Sequence, residues 1–130
     1  MVTLEELARI AQIEFSDIVD SFELMGTKLR IMLTREGFID VWLSRKLPDR
    51  FGYNWEEEST GLSYRYDNFP DTNWEHVSTY PYRFHDGFQD NVIESSRFET
   101  GIEDGFRSFM SWVRLKLKIA QSLANPTFLP

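Results

Sequence analysis

Lys28-Leu29-Arg30-Ile31-Met32-Leu33-Thr34, then Arg35-Glu36-Gly37, then Phe38-Ile39-Asp40-Val41-Trp42-Leu43-Ser44: this stretch decides the fold. Successive side chains of a strand point to opposite faces, so residues two apart share one. Leu29, Ile31 and Leu33 therefore face one way, and Lys28, Arg30 and Met32 the other. After a tight connection containing glycine, Ile39, Val41 and Leu43 repeat the apolar row, while Phe38, Asp40 and Trp42 lie opposite. Two alternating runs joined this closely are an antiparallel hairpin with one buried face.

The pattern extends in both directions. Upstream, Asp17–Met25 reads as a strand turning at Gly26. Downstream, Phe51–Glu57 and Leu62–Asp67 read as two more, separated by Glu58-Ser59-Thr60-Gly61. The expected sheet is a meander of about five strands. Thr3 and Glu6 fit a capping box ahead of a short helix with Leu4, Leu7, Ala8 and Ala11 on one face. Thr100 and Glu103 repeat that pattern ahead of a long helix, whose stripe is Ile102, Phe106, Phe109, Met110, Val113, Leu117 and Ala120 and whose end is Asn125-Pro126. The fold class is α+β: the meander, an N-terminal helix, and a long C-terminal helix packed on one face.

Residues 68–101 show no sustained period, and a connection this long in a compact domain is usually functional or disordered. Their many rings favour a packed loop, with Val92–Ser96 as a short strand. Tyr80, Tyr82 and Phe84 alternate with Pro81, Arg83 and His85, which is a strand's period and places Thr79–His85 along the meander edge.

The chain has 130 residues, expected as one domain (1–130), and 15% of them are aromatic. It has no cysteine, which excludes disulfides, thiolate zinc sites and a cysteine nucleophile. The acidic N-terminus lacks a signal peptide's base, and no segment is apolar for long enough to span a membrane, so a cytoplasmic protein is expected. Net charge is −7, with base concentrated in residues 27–50 and 105–130. Overall acidity argues against nucleic acid as a default partner, because phosphates need local positive potential. The run Arg45 to Arg50 beside Trp42, Phe51, Tyr53 and Trp55 nevertheless combines charge with stacking surface.

The candidate site gathers around Arg65 and Asp67, neighbours by strand geometry: a guanidinium for an anionic oxygen, oriented by a carboxylate. Asn68 and Pro70 are ordinary turn formers. His85 is of a residue type suited to general acid or base work and so to proton transfer. His76 and His85 stand among Asp67, Asp71, Glu75, Asp86 and Asp90, but an irregular loop predicts no convergence of ligands, so no metal or other cofactor is expected. Convergence of Arg65, Asp67, Asn68, Arg83 and His85 is expected, beside a pocket walled by Tyr53, Trp55 and Tyr66.

This central stretch resembles the TumE-like proteins, small toxin components of bacterial and archaeal toxin–antitoxin pairs. The resemblance rests on Tyr53-Asn54-Trp55, on Arg65-Tyr66-Asp67-Asn68-Phe69-Pro70 and on Thr79-Tyr80-Pro81-Tyr82-Arg83-Phe84-His85. It covers the meander from about Asp17 and is consistent with the last helix. Of three clustered family histidines only His85 is in place; Tyr82 and Arg83 fill the other positions, and Tyr66 replaces a family tryptophan. The resemblance implies a toxin component or a stand-alone relative, with an antitoxin-like partner. The mechanism that fits these residues is metal-independent cleavage of an RNA substrate. His85 transfers a proton, Arg65 and Arg83 stabilise phosphate charge, Asp67 orients Arg65, and Tyr53, Trp55, Tyr66 and Asn68 hold substrate. The competing reading is a non-enzymatic interaction domain using the aromatic loop 68–101. An exposed meander edge further leads us to expect a homodimer.

Overall fold

The computed structural model describes residues 1–124. Helix α1 (Leu4–Glu14) is followed by strands β1 (Val19–Met25), β2 (Lys28–Leu33), β3 (Phe38–Leu43), β4 (Phe51–Glu56), β5 (Ser63–Asp67), β6 (Arg83–Gly87) and β7 (Val92–Ile93), then helix α2 (Ile102–Ala124). The seven strands form one sheet in chain order, and every neighbouring pair is antiparallel. The meander is thus two strands longer than the sequence suggests. The extra pair comes from the stretch 68–101, where residues 83–87 become β6 on the free edge of β5 and Val92–Ile93 becomes β7 beside it. Between β5 and β6 the chain makes a single 3₁₀ turn, Thr72–Trp74.

Both helices cover one face. The capping box of α1 forms as expected, with Glu6 N–H donating to Thr3 Oγ1 at 3.1 Å and Thr3 N–H to Glu6 Oε2 at 3.3 Å. Leu7, Ala8, Ile10 and Ala11 turn inward. Helix α2 starts differently from expectation. Gly101, at φ +86°, precedes it and accepts from Gly105 N–H, so glycine rather than Thr100 holds the capping position. Phe106, Phe109, Met110 and Val113 are 0% exposed. The stripe ends at Leu117, because Ala120 is exposed, and the Asn125-Pro126 stop lies outside the described residues.

Beneath the helices lie Leu29, Ile31, Ile39, Val41, Phe51, Tyr53, Trp55, Tyr64, Tyr66 and Phe84, all buried. Their rings interlock: Phe51 stacks on Tyr53 at 4.4 Å between centroids, Tyr53 meets Phe106 edge-on at 5.4 Å, and Trp112 touches Trp55, Tyr64 and Phe84. The β2–β3 turn has a steric demand of its own. Gly37 sits at φ +90°, and a Cβ there would stand 2.1 Å from the Glu56 carbonyl oxygen. Only glycine accepts both conditions.

Candidate functional site on the open face of the sheet

The other face of the sheet carries no helix, and the register lays its side chains in rows. One row runs Arg30, Asp40, Asn54, Arg65, His85; the next runs Lys28, Trp42, Gly52, Asp67, Arg83. Two buried carboxylates anchor this surface. Asp40 binds Arg30 through both oxygens, at 2.8 and 2.9 Å, and Lys28 at 3.2 Å. Asp67, fully buried, is the centre of a larger cluster.

Asp67 Oδ2 lies 2.8 Å from Arg65 Nε and 3.5 Å from His85 Nε2, and Oδ1 lies 2.9 Å from Arg83 Nη2. Oδ1 also accepts from Phe69 N–H at 3.2 Å. Burial alone would push the Asp67 carboxyl up; the charges of Arg65 and Arg83 and the Arg65 hydrogen bond outweigh it and hold its pKa below the ordinary carboxylate value. The His85 ring stands at the margin, since 3.5 Å is long for a hydrogen bond.

His85 is 3% exposed and both ring nitrogens are engaged. Nδ1 lies 2.7 Å from the Gln89 carbonyl oxygen, which can only accept, so Nδ1 carries the proton. Nε2 then offers its lone pair to Arg83 Nε–H at 3.2 Å. Arg83, itself buried, also donates from Nη1 to the Phe69 carbonyl at 2.5 Å. The cluster locks the chain after β5 onto β6.

Arg65 is the exception. Only its Nε has a protein acceptor among the described residues, and its side chain keeps 29% exposure. The guanidinium lies over Gly52, where a Cβ would approach Nη2 to 2.8 Å, and its Cζ stands 5.2 Å from the centre of the Trp42 ring. It borders a cleft of about 330 Å³ lined by Trp42, Ser44, Arg45 and Phe69. A larger cleft of about 460 Å³ opens beside α1, and its charged side chains are Glu6 and Asp49.

The residues expected to form one site thus divide. Arg65, Asp67, Arg83 and His85 converge. Tyr53, Trp55 and Tyr66 do not join them: they are 0% exposed on the helix face, with Tyr53 and Tyr66 hydroxyls donating to the carbonyls of Ile102 and Glu99 and the Trp55 indole N–H to that of Glu36. They cannot wall a pocket beside Arg65. Asn68 is buried too, its Oδ1 accepting from Phe51 N–H and its Nδ2 donating to the Asp49 carbonyl, which ties β5 to the start of β4. His76 is exposed, its ring 6.1 Å from that of Trp74. Among the described residues no three His, Asp or Glu side chains gather as metal ligands.

Gly52, Phe69 and Trp42 also belong to the site, though the sequence pattern does not single out Gly52 or Phe69 for it. For Trp42 a signal existed, since it shares a strand face with Asp40 and stands opposite Lys28.

The family described as Toxin TumE matches residues 6–117, most of the chain, from within α1 through all seven strands and into α2. The chain belongs to the TumE toxin family. No curated protein and no solved structure matches it. No helix among the described residues is long and apolar enough to cross a membrane.

Proposed function

We propose that this TumE-family chain is the toxin of a toxin–antitoxin pair, held in check by an antitoxin protein, and that it cleaves cytoplasmic RNA without a metal on the open face of its sheet. The observation that carries this reading is Arg65. A guanidinium fixed through Nε by a buried carboxylate, on the border of a cleft, is pre-organised for a phosphate. In the reaction the ribose 2′-oxygen attacks the adjacent phosphorus. The O2′–P bond forms, the P–O5′ bond breaks, and the 2′ proton ends on the departing 5′-oxygen. Arg65 stabilises charge gathering on the non-bridging oxygens. Asp67 orients Arg65, and Arg83 raises the positive potential beneath it. His85, enclosed with both nitrogens bonded, enters as the group that positions Arg83; direct proton transfer, which its residue type suggests, requires its ring to be uncovered.

The test is labelled RNA incubated with purified protein, with and without chelator. We expect cleavage that survives chelation, ends in 2′,3′-cyclic phosphate, and falls roughly 10²-fold in Arg65→Ala, as for loss of one charge-stabilising donor. Intact RNA at stoichiometric protein would remove the nuclease. The competing reading, an interaction domain, gains from Phe88, which is 64% exposed at the β6–β7 turn. Self-association through β1, an exposed edge strand, belongs to the same proposal.

A further inference from the structure

We infer that the cleft beside Arg65 is a nucleotide subsite that takes one unpaired residue of single-stranded RNA, its phosphate on the Arg65 terminal nitrogens and its base against Phe69. The inference rests on the nuclease reading for its substrate class, but it concerns binding alone.

Four observations carry it. The first is the free edge of Arg65, held in place by Asp67 on one side and by the Trp42 ring on the other. The second is the bare backbone of Gly52, which lets the guanidinium lie low on the sheet. Third, Phe69 is anchored by its own main chain: its N–H donates to Asp67 and its carbonyl accepts from Arg83, so the ring enters the cleft on a fixed backbone. Last, Arg45 on the rim is exposed and adds a second cation. Charge tracking the backbone beside a ring that stacks a base is how single strands are held. A base inside a duplex has its faces covered by its neighbours and cannot reach such a ring. The cleft, about 330 Å³, is at the small end of ligand pockets, which suits one nucleotide rather than a helix.

The decisive experiment measures fluorescence anisotropy of a labelled 2′-O-methyl RNA octamer, which cannot be cleaved, alone and annealed to its complement. Wild-type protein should bind the single strand at least about tenfold more tightly than the duplex. Arg65→Ala and Phe69→Ala should each weaken single-strand binding by roughly tenfold, the scale of a lost charged contact or a lost stack. Gly52→Ala should weaken it as well, because the new methyl displaces the tip of Arg65 while deleting no contact group, and its melting temperature should remain that of the wild type. Equal affinity for duplex and single strand, no binding of either, or variants that bind like wild type would each overturn the subsite. Unmodified RNA run in parallel keeps the two ideas apart. Variant-sensitive binding without cleavage would sink only the nuclease, and cleavage with variant-insensitive binding would sink only the subsite.

Discussion

Asp67 takes hydrogen bonds or charge from Arg65, Phe69 and Arg83 while exposing no surface of its own. Replacing it with Asn keeps the volume but leaves the buried Arg83 without its counter-ion, and unpairing a buried charge costs about 3–5 kcal/mol. We expect Asp67→Asn to lose stability in that range near neutral pH. The loss should depend on pH in one direction. The folded-state pKa of Asp67 is lowered, so its contribution is fully present above the unfolded value, about 3.9, and disappears as pH falls through the lower folded value. Denaturant melts of the two proteins should therefore converge in strong acid, and a gap that stays constant would refute the assignment. His85→Asn discriminates positioning from proton transfer. An Asn amide can still donate to the Gln89 carbonyl, so a positioning role predicts partial activity with an unaltered pH–rate profile. Loss of one limb of that profile would instead make His85 the proton carrier. At this scale the polar cluster was legible from the sequence, since Arg65 and Asp67 are two apart on a strand. The rings were not, although the same rule applied: Tyr66 lies between them and must point away. Tyr53 and Trp55 share the parity of Tyr66 across the β4–β5 register and point to the helix face with it.

Helix α2 closes the apolar face of the sheet, and Phe109 is the ring at its centre, 0% exposed and packed on Tyr53, Phe98 and Trp112. Phe109→Ala should cost about 3–5 kcal/mol in chemical denaturation, as ring deletions from cores do; a cost under 1 kcal/mol would mean that the helix is not packed as described. The elements that the sequence foretold are those with a short turn between them, because a period of two and a glycine fix both strand and partner. Strand β6 was harder. It follows a connection from Asn68 to Tyr82 whose 3₁₀ turn and backbone bonds obey no simple period, and its partner is declared only by the edge of β5. The α2 cap shows a different limit. Thr100 and Glu103 satisfy the pattern, yet a glycine at positive φ one residue later takes the position.

The two borders of the sheet are unlike. Strand β7 has two residues and offers almost no template, whereas β1 has seven, six of them exposed, with Phe22 at 38% and Leu24 at 44%. A long open edge bearing apolar side chains invites another strand. We expect two copies to pair through β1 and light scattering to report a dimer at tens of micromolar. Leu24→Lys should shift it to monomer without changing the melting profile expected of the isolated fold. A wild-type monomer at that concentration would leave the edge free for a different partner.

A sheet whose strands pair strictly in chain order also has a temporal meaning. Each strand finds its partner one turn away, so little loop entropy is spent at each step, and such local topologies assemble quickly. Strands β1 to β7 can therefore zip together in the order in which the ribosome releases them. The rings of β4 and β5, however, have no cover until α2 follows. A sheet formed in that order would keep a bare, adhesive reverse side behind Asp67 until α2 packs on it, and that helix is what would end the interval.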